Sequence, residues 1–129
     1  MKAVFVALVC VAALAVYARD YTLGVDVAYD YPQESWDCLH NEHAAEFAIV
    51  RCYRSIGSVD VACPGSVQRA WAAGFKHVDI YLFPCVKCGN ATNQVATLKE
   101  YVVQNNVKFG LLWLDVEMSL SLSSLSSCC

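Results

Sequence analysis

The sequence predicts an α/β fold built on a parallel sheet. Four short segments of strand character alternate with three of helical character, in the order βαβαβαβ. The strand segments are apolar on both faces, as in a sheet covered by helices on either side. Right-handed crossovers follow by default. Two architectures satisfy this pattern: the N-terminal half of a (β/α)8-type, TIM-like barrel, or a small open α/β sheet. Periodicity does not separate them, and no internal repeat is evident.

Each element has its own warrant. Tyr21–Val27 (YTLGVDV) reads as the first strand, with Gly24 and Asp26 on one face, and Asp30-Tyr31-Pro32 as a turn. Ser35 is a candidate cap for a helix carrying Trp36, Leu39 and His43 at helical spacing. Phe47–Tyr53 (FAIVRCY) is the second strand, broken by Ile56-Gly57-Ser58. Pro64 to Ala73 is helical in pattern, and Gly74 sits where a C-terminal cap is expected. His77–Phe83 (HVDIYLF) is the third strand, stopped by Pro84. Ala91 to Asn105 is a helix with Val95, Leu98 and Val102 on one side, and Lys108–Val116 is the fourth strand.

The ends differ from the middle. Lys2 followed by an apolar run from Ala3 to Val16 and the small-x-small site Val16-Tyr17-Ala18 mark residues 1–18 as a secretory signal peptide. The apolar run of 14 residues is short for a membrane span, which needs about 20. Removing 18 residues from 129 leaves 111, which suits one small domain over 19–117. Met118–Cys129 (MSLSLSSLSSCC) holds six Ser and three Leu without a Gly, Pro or charge, and is expected to be a non-homologous tail.

Composition narrows the partners. The net charge of −3 becomes −4 once Lys2 is removed, and no Lys/Arg cluster is present, so neither nucleic acid nor an anionic membrane is expected. A monomer is expected. Of eight cysteines, Cys10 leaves with the signal, and seven remain, so in an oxidising compartment at least one is left over. Connectivity is not readable. Asn90-Ala91-Thr92 is an N-glycosylation sequon.

The chemistry is carried by Leu111-Leu112-Trp113-Leu114-Asp115-Val116-Glu117, an apolar run ending in Asp-x-Glu. Residues two apart on a strand point the same way, with Cα atoms about 6.6 Å apart. Two carboxylates that close cannot both ionise freely, so one becomes an acid while the other stays charged. In a parallel barrel the chemistry sits at the C-terminal strand ends. Asp26 lies at the end of strand one, Arg51 and Tyr53 at the end of strand two, Asp79, Tyr81 and Phe83 alternate along strand three, and Asp115 and Glu117 close strand four. Arg51 and Asp79 form a buried ion pair on the structural reading. For Asp26, Asp115 and Glu117 together, function is favoured, because three converging carboxylates destabilise a fold unless something uses them.

Four segments together resemble the Chalaropsis-type lysozymes of glycoside hydrolase family 25, in their secreted invertebrate branch. They are GVDV at 24–27, FAIVRCYRS at 47–55, AWAAGFKHVDIYLFPCVKCGN at 70–90 and NNVKFGLLWLDVE at 105–117. The resemblance implies a modified (β/α)-barrel that cleaves the β-1,4 bond after N-acetylmuramic acid in bacterial peptidoglycan. It makes Glu117 the general acid/base. Asp115 becomes the residue that holds the 2-acetamido group or acts as nucleophile, and Asp26 a shaper of the catalytic mouth. Tyr53, Asp79 and Tyr81 become candidate substrate-binding residues. Carboxyl groups about 5–5.5 Å apart would give retention of configuration. Chitinase-like barrels also end a strand in Asp-x-Glu, but their longer motif needs Asp at 113 and 110, where this chain has Trp113 and Gly110.

A barrel of this kind needs roughly 200 residues or more, and four strands are legible here. The chain therefore reads as a C-terminally truncated relative. Its expected activity is that of a muramidase, secreted to the exterior or to a lysosomal or gut lumen, in defence or digestion. The alternatives are an inactive secreted paralogue with weak glycan binding, and a small disulfide-stabilised protein unrelated to sugars. No cofactor is expected. Cys85-x-x-Cys88 is expected to be a loop disulfide rather than a redox centre. His40 and His43 are expected on a solvated face, with no third ligand for a metal.

Overall fold

The computed structural model describes residues 21–117. The signal peptide, the Ser/Leu-rich tail, Cys128 and Cys129 lie outside the described residues. The elements are β1 (Leu23–Val27), α1 (Gln33–Asn41), β2 (Ala45–Arg54), β3 (Ser58–Val59), α2 (Cys63–Ala73), β4 (His77–Leu82), a 3-10 turn (Val86–Cys88), α3 (Ala91–Gln104) and β5 (Leu112–Leu114). The parallel path runs β1-β2-β4-β5, with two-residue β3 pairing antiparallel to β2. This is the predicted α/β architecture: four parallel strands joined by helices, a partial TIM-like sheet that is not closed among the described residues.

Register gives each face its role. Ala48, Val50, Val78, Ile80 and Leu82 are buried against Trp36, Val67, Ala70, Leu98 and Val102 from the helices. The opposite face carries Asp26, paired with Ile49, then Arg51, paired with Tyr81, which in turn pairs with Trp113. Gly24 is required at its position: a Cβ there would lie 2.2 Å from the Phe47 ring on the neighbouring strand.

Several elements depart from expectation, each for a local reason. Pro32, not Ser35, stands at the start of α1, which makes no side-chain cap bond. His40 is not on a solvated face: its Nδ1 lies 2.9 Å from the Ala45 carbonyl and its ring packs on Phe75 at 5.5 Å. His43 falls beyond α1 and is exposed. On α3 the buried stripe is Gln94, Leu98 and Val102, with Val95 44% exposed. Gln94 earns its place by binding the Cys85 N–H at 2.8 Å, the Cys85 carbonyl at 3.0 Å and the Gly89 carbonyl at 2.8 Å. β5 is shorter than the predicted Lys108–Val116, because only β4 pairs with it. As expected, Gly74 closes α2 in the left-handed region at φ 98°.

Two disulfides are present among the described residues. Cys52–Cys63 ties the end of β2 to the start of α2, and Cys85–Cys88 staples the turn after β4. Cys38 is the free cysteine among the described residues. No helix among them is long and apolar enough to cross a membrane.

Candidate active site

Of the residues singled out from sequence, Asp26 and Asp115 lie where the parallel strands end, and Tyr53 and Asp79 do not join them. Asp26 is the penultimate residue of β1, and Asp115 follows β5, its amide donating to the Leu82 carbonyl at 3.0 Å. That bond extends the ladder one rung past β5, so strand alternation holds through Asp115 and sets it on the Trp113 face. Glu117 lies two residues further, beyond any pairing, and is exposed. The expected strand pair of Asp115 and Glu117 is thus half realised: one carboxylate is fixed by the sheet, the other extends from it.

β1 and β5 are the two ends of a four-strand path, roughly 14 Å apart in a flat sheet at 4.7–4.9 Å per strand. The Asp115 charge nonetheless acts on Asp26. Partial burial, then Asp115, push the Asp26 carboxyl up from 3.8, while the Tyr81 hydroxyl and Arg51 hold it down. Burial, then the Asp26 charge, push the Tyr81 phenol up to about 12. Asp26 and Tyr81 thus act on each other, and the Asp115 charge raises both.

Arg51 sits beneath this group and is fixed at both ends. Its Nε donates to Asp60 Oδ2 at 2.8 Å and its Nη2 to the Ala28 carbonyl at 2.6 Å. The expected Arg51–Asp79 ion pair is therefore not formed. Asp60, 7% exposed, takes Arg51 because the β2–β3 hairpin folds it back, its amide donating to the Cys52 carbonyl at 2.9 Å. The sequence reading missed Asp60. Its one signal is an acidic residue between the small apolar residues Val59 and Val61, near a strand arginine.

Asp79 has a different occupation. Its Oδ1 accepts the Leu111 N–H and its Oδ2 the Trp113 indole N–H, each at 2.8 Å. Gly110 leaves the room: a Cβ there would lie 2.7 Å from Asp79 Oδ1. Asp79 thus clips β5 to β4, and neither oxygen is free of a protein donor. Tyr53 does not reach the mouth. A register shift between Arg51 and Tyr53 pairs Tyr53 with Leu82, and the ring joins the core at 3% exposure. Tyr81 is buried at 8% exposure and serves through its hydroxyl. The exposed aromatic on this face is Trp113, which sequence reading passed over as part of an apolar run.

Asp26 also borders a cleft of about 570 Å³ along the free side of β1, shared with Tyr31, Glu34 and His43. No group of three or more His, Cys, Asp or Glu side chains is placed to hold a metal among the described residues. Asn90 is exposed and caps α3, its Oδ1 accepting the Asn93 N–H at 3.1 Å.

Comparison with known proteins adds lineage to this geometry. The family model described as "Lysozyme-like protein 1" matches residues 17–127. "Probable GH family 25 lysozyme 2" of Dictyostelium discoideum is 43% identical over 73% of this chain and 44% of its own length. "Probable GH family 25 lysozyme 5" of the same organism is 40% identical over 74% of this chain and 44% of its own. "Lysozyme-like protein 5" of Caenorhabditis elegans is 35% identical over 91% of this chain and 54% of its own. The chain spans about half the length of these curated relatives. No solved structure matches it.

Proposed function

The chain belongs to the lysozyme-like family of glycoside hydrolase family 25, and from that premise we propose that it cleaves the β-1,4 bond between N-acetylmuramic acid and N-acetylglucosamine in bacterial peptidoglycan. The observation that carries the reading is geometric: Asp26 near the end of β1 and Asp115 just past β5 lie on the same face of the sheet at the C-terminal strand ends, with Glu117 two residues beyond. An oxocarbenium-like transition state needs negative charge beside it, and a protonated carboxyl to release the leaving oxygen. Glu117 is the general acid/base, exposed and free to reach the glycosidic oxygen. Asp115, held by the Leu82 carbonyl, orients the 2-acetamido group or attacks the anomeric carbon. Asp26 shapes the mouth with Tyr81.

The two disulfides fit secretion, with residues 1–18 as signal peptide and Asn90 as an N-glycan site. The test is clearing of a bacterial cell-wall suspension by the chain secreted from a eukaryotic host, beside its Glu117→Gln variant. Turbidity should fall with the parent and persist with the variant. Equal clearing by both would sink the role given to Glu117.

A second reading, glycan binding without turnover, is favoured by the exposure of Trp113 (49%) and Leu111 (59%) on the open inner face. Sedimentation with cell walls in the absence of clearing would select it.

A further inference from the structure

We propose that the cleft between α2 and the loop leading from α3 into β5 is a saccharide-binding site, separate from the carboxylate mouth, that takes a β-linked N-acetylhexosamine chain. This cleft, of about 730 Å³, is larger than the one beside Asp26. It falls within the roughly 300–1,000 Å³ of small-molecule sites. Its walls include Val67, Gln68 and Trp71 from α2, and Asn106, Val107 and Lys108 from the loop.

Trp71 is the anchor of the argument. It is 39% exposed although α2 packs against α1, β2 and β4. Its indole N–H donates to the Lys108 carbonyl at 2.7 Å, bridging the cleft floor. The ring is thereby fixed before any ligand arrives, which lowers the ordering cost of stacking. A fixed aromatic plane with its polar edge satisfied offers apolar surface to the apolar face of a pyranose.

The polar groups around it suit hydroxyl and acetamido partners. Gln68 and Asn106 are exposed, and neither side chain is hydrogen-bonded among the described residues. Asn106 is held at φ 51°, and Lys108 adds a cationic donor. No Asp, Glu, His or Cys lines the cleft, and Lys108 is the one charged side chain along it. The 105–111 loop enters β5 at the end opposite Asp115. A glycan held there and a glycan held at the mouth occupy different ends of the sheet, an arrangement that adds avidity on a polymeric wall.

Only the choice of an N-acetylated probe rests on the muramidase reading. The three indoles report position: Trp36 is fully buried, Trp71 lines the cleft and Trp113 lies on the inner face. Titration of the full chain with the N-acetylglucosamine trimer, followed by the indole N–H signals in NMR, should move Trp71 saturably in the millimolar range and leave Trp36 fixed. Gln68→Ala should weaken that titration at least threefold, and because Gln68 is solvent-facing its variant keeps the fold; Trp71→Phe, which removes the reporter, should weaken trimer binding at least threefold by calorimetry. Glu117→Gln should abolish clearing without changing it. A Trp71 signal that does not move or does not saturate overturns the proposal, as does movement confined to Trp113. Either result leaves the muramidase reading standing, since clearing is measured separately.

Discussion

Removing the Asp79 carboxylate should free β5 while leaving the core folded. The carboxylate accepts the Leu111 amide and the Trp113 indole N–H, both at 2.8 Å, and β5 has no other side-chain tether to the sheet among the described residues. Hydrogen bonds to a shielded charge are worth about 1.5–3 kcal/mol each. Leu111 and Trp113 are 59% and 49% exposed, so water competes and about 1 kcal/mol per bond is the fitting figure. Asp79→Ala then costs β5 about 2 kcal/mol, roughly 30-fold in its opening equilibrium. Asp79→Asn keeps one acceptor and costs about half that, roughly fivefold. Amide exchange at Asp115, whose N–H bonds the Leu82 carbonyl, reads the effect directly. The global unfolding midpoint should barely move, because the buried core contains no β5 residue. If exchange at Asp115 in Asp79→Ala stays within twofold of the parent, the clip does not hold the strand and the reasoning fails.

Four further outcomes follow from contacts already described. Asp60→Ala strands the mostly buried Arg51 guanidinium on the Ala28 carbonyl and should lower stability by about 3 kcal/mol in denaturant titration. The Tyr81 phenol titrates near 12 in the fold and 10.0 outside it, so its contribution is whole below pH 10 and lost as pH climbs through 12. Tyr81→Phe should erase that alkaline loss, read by unfolding midpoints between pH 9 and 12. Asp26 is likewise raised: its contribution is whole below 3.8 and lost as pH rises through the higher folded value, so Asp26→Asn should flatten that limb and be more stable than the parent at pH 7. Replacing both Cys52 and Cys63 by Ala removes a crosslink spanning 11 positions between fully buried side chains, at a cost of about 3 kcal/mol in thermal or denaturant unfolding.

Much of the frame was legible in the chain because alternation and end signals are local. The strand–helix order, the Gly74 cap and the landing of Asp26 and Asp115 at strand ends all followed from spacing. What was not legible depended on partners distant in sequence. Which aspartate meets Arg51 turns on a two-residue hairpin that carries no periodic signal. Tyr53 was misplaced by a single register shift, invisible to a rule that alternates every residue. Leu112 and Leu114 read as buried from their type, yet they are 44% and 63% exposed because β5 has one neighbour. Gln94 carries no apolar signal, and its three bonds to the stapled turn become evident only once the turn is in place.

The union of Arg51 with Asp60 shapes how ligands approach. Arg51 is the one cation whose charge is felt at Asp26 and Tyr81, and its own charge is already answered by Asp60. Asp26, Asp115 and Glu117 have no ion-pair partner among the described residues. A glycan bearing carboxylates meets repulsion over about 10 Å at 0.1 M salt, and added electrolyte shortens that range. The arrangement favours encounter in saline surroundings, where the acidic cluster keeps its local influence on protons while its reach into solvent contracts.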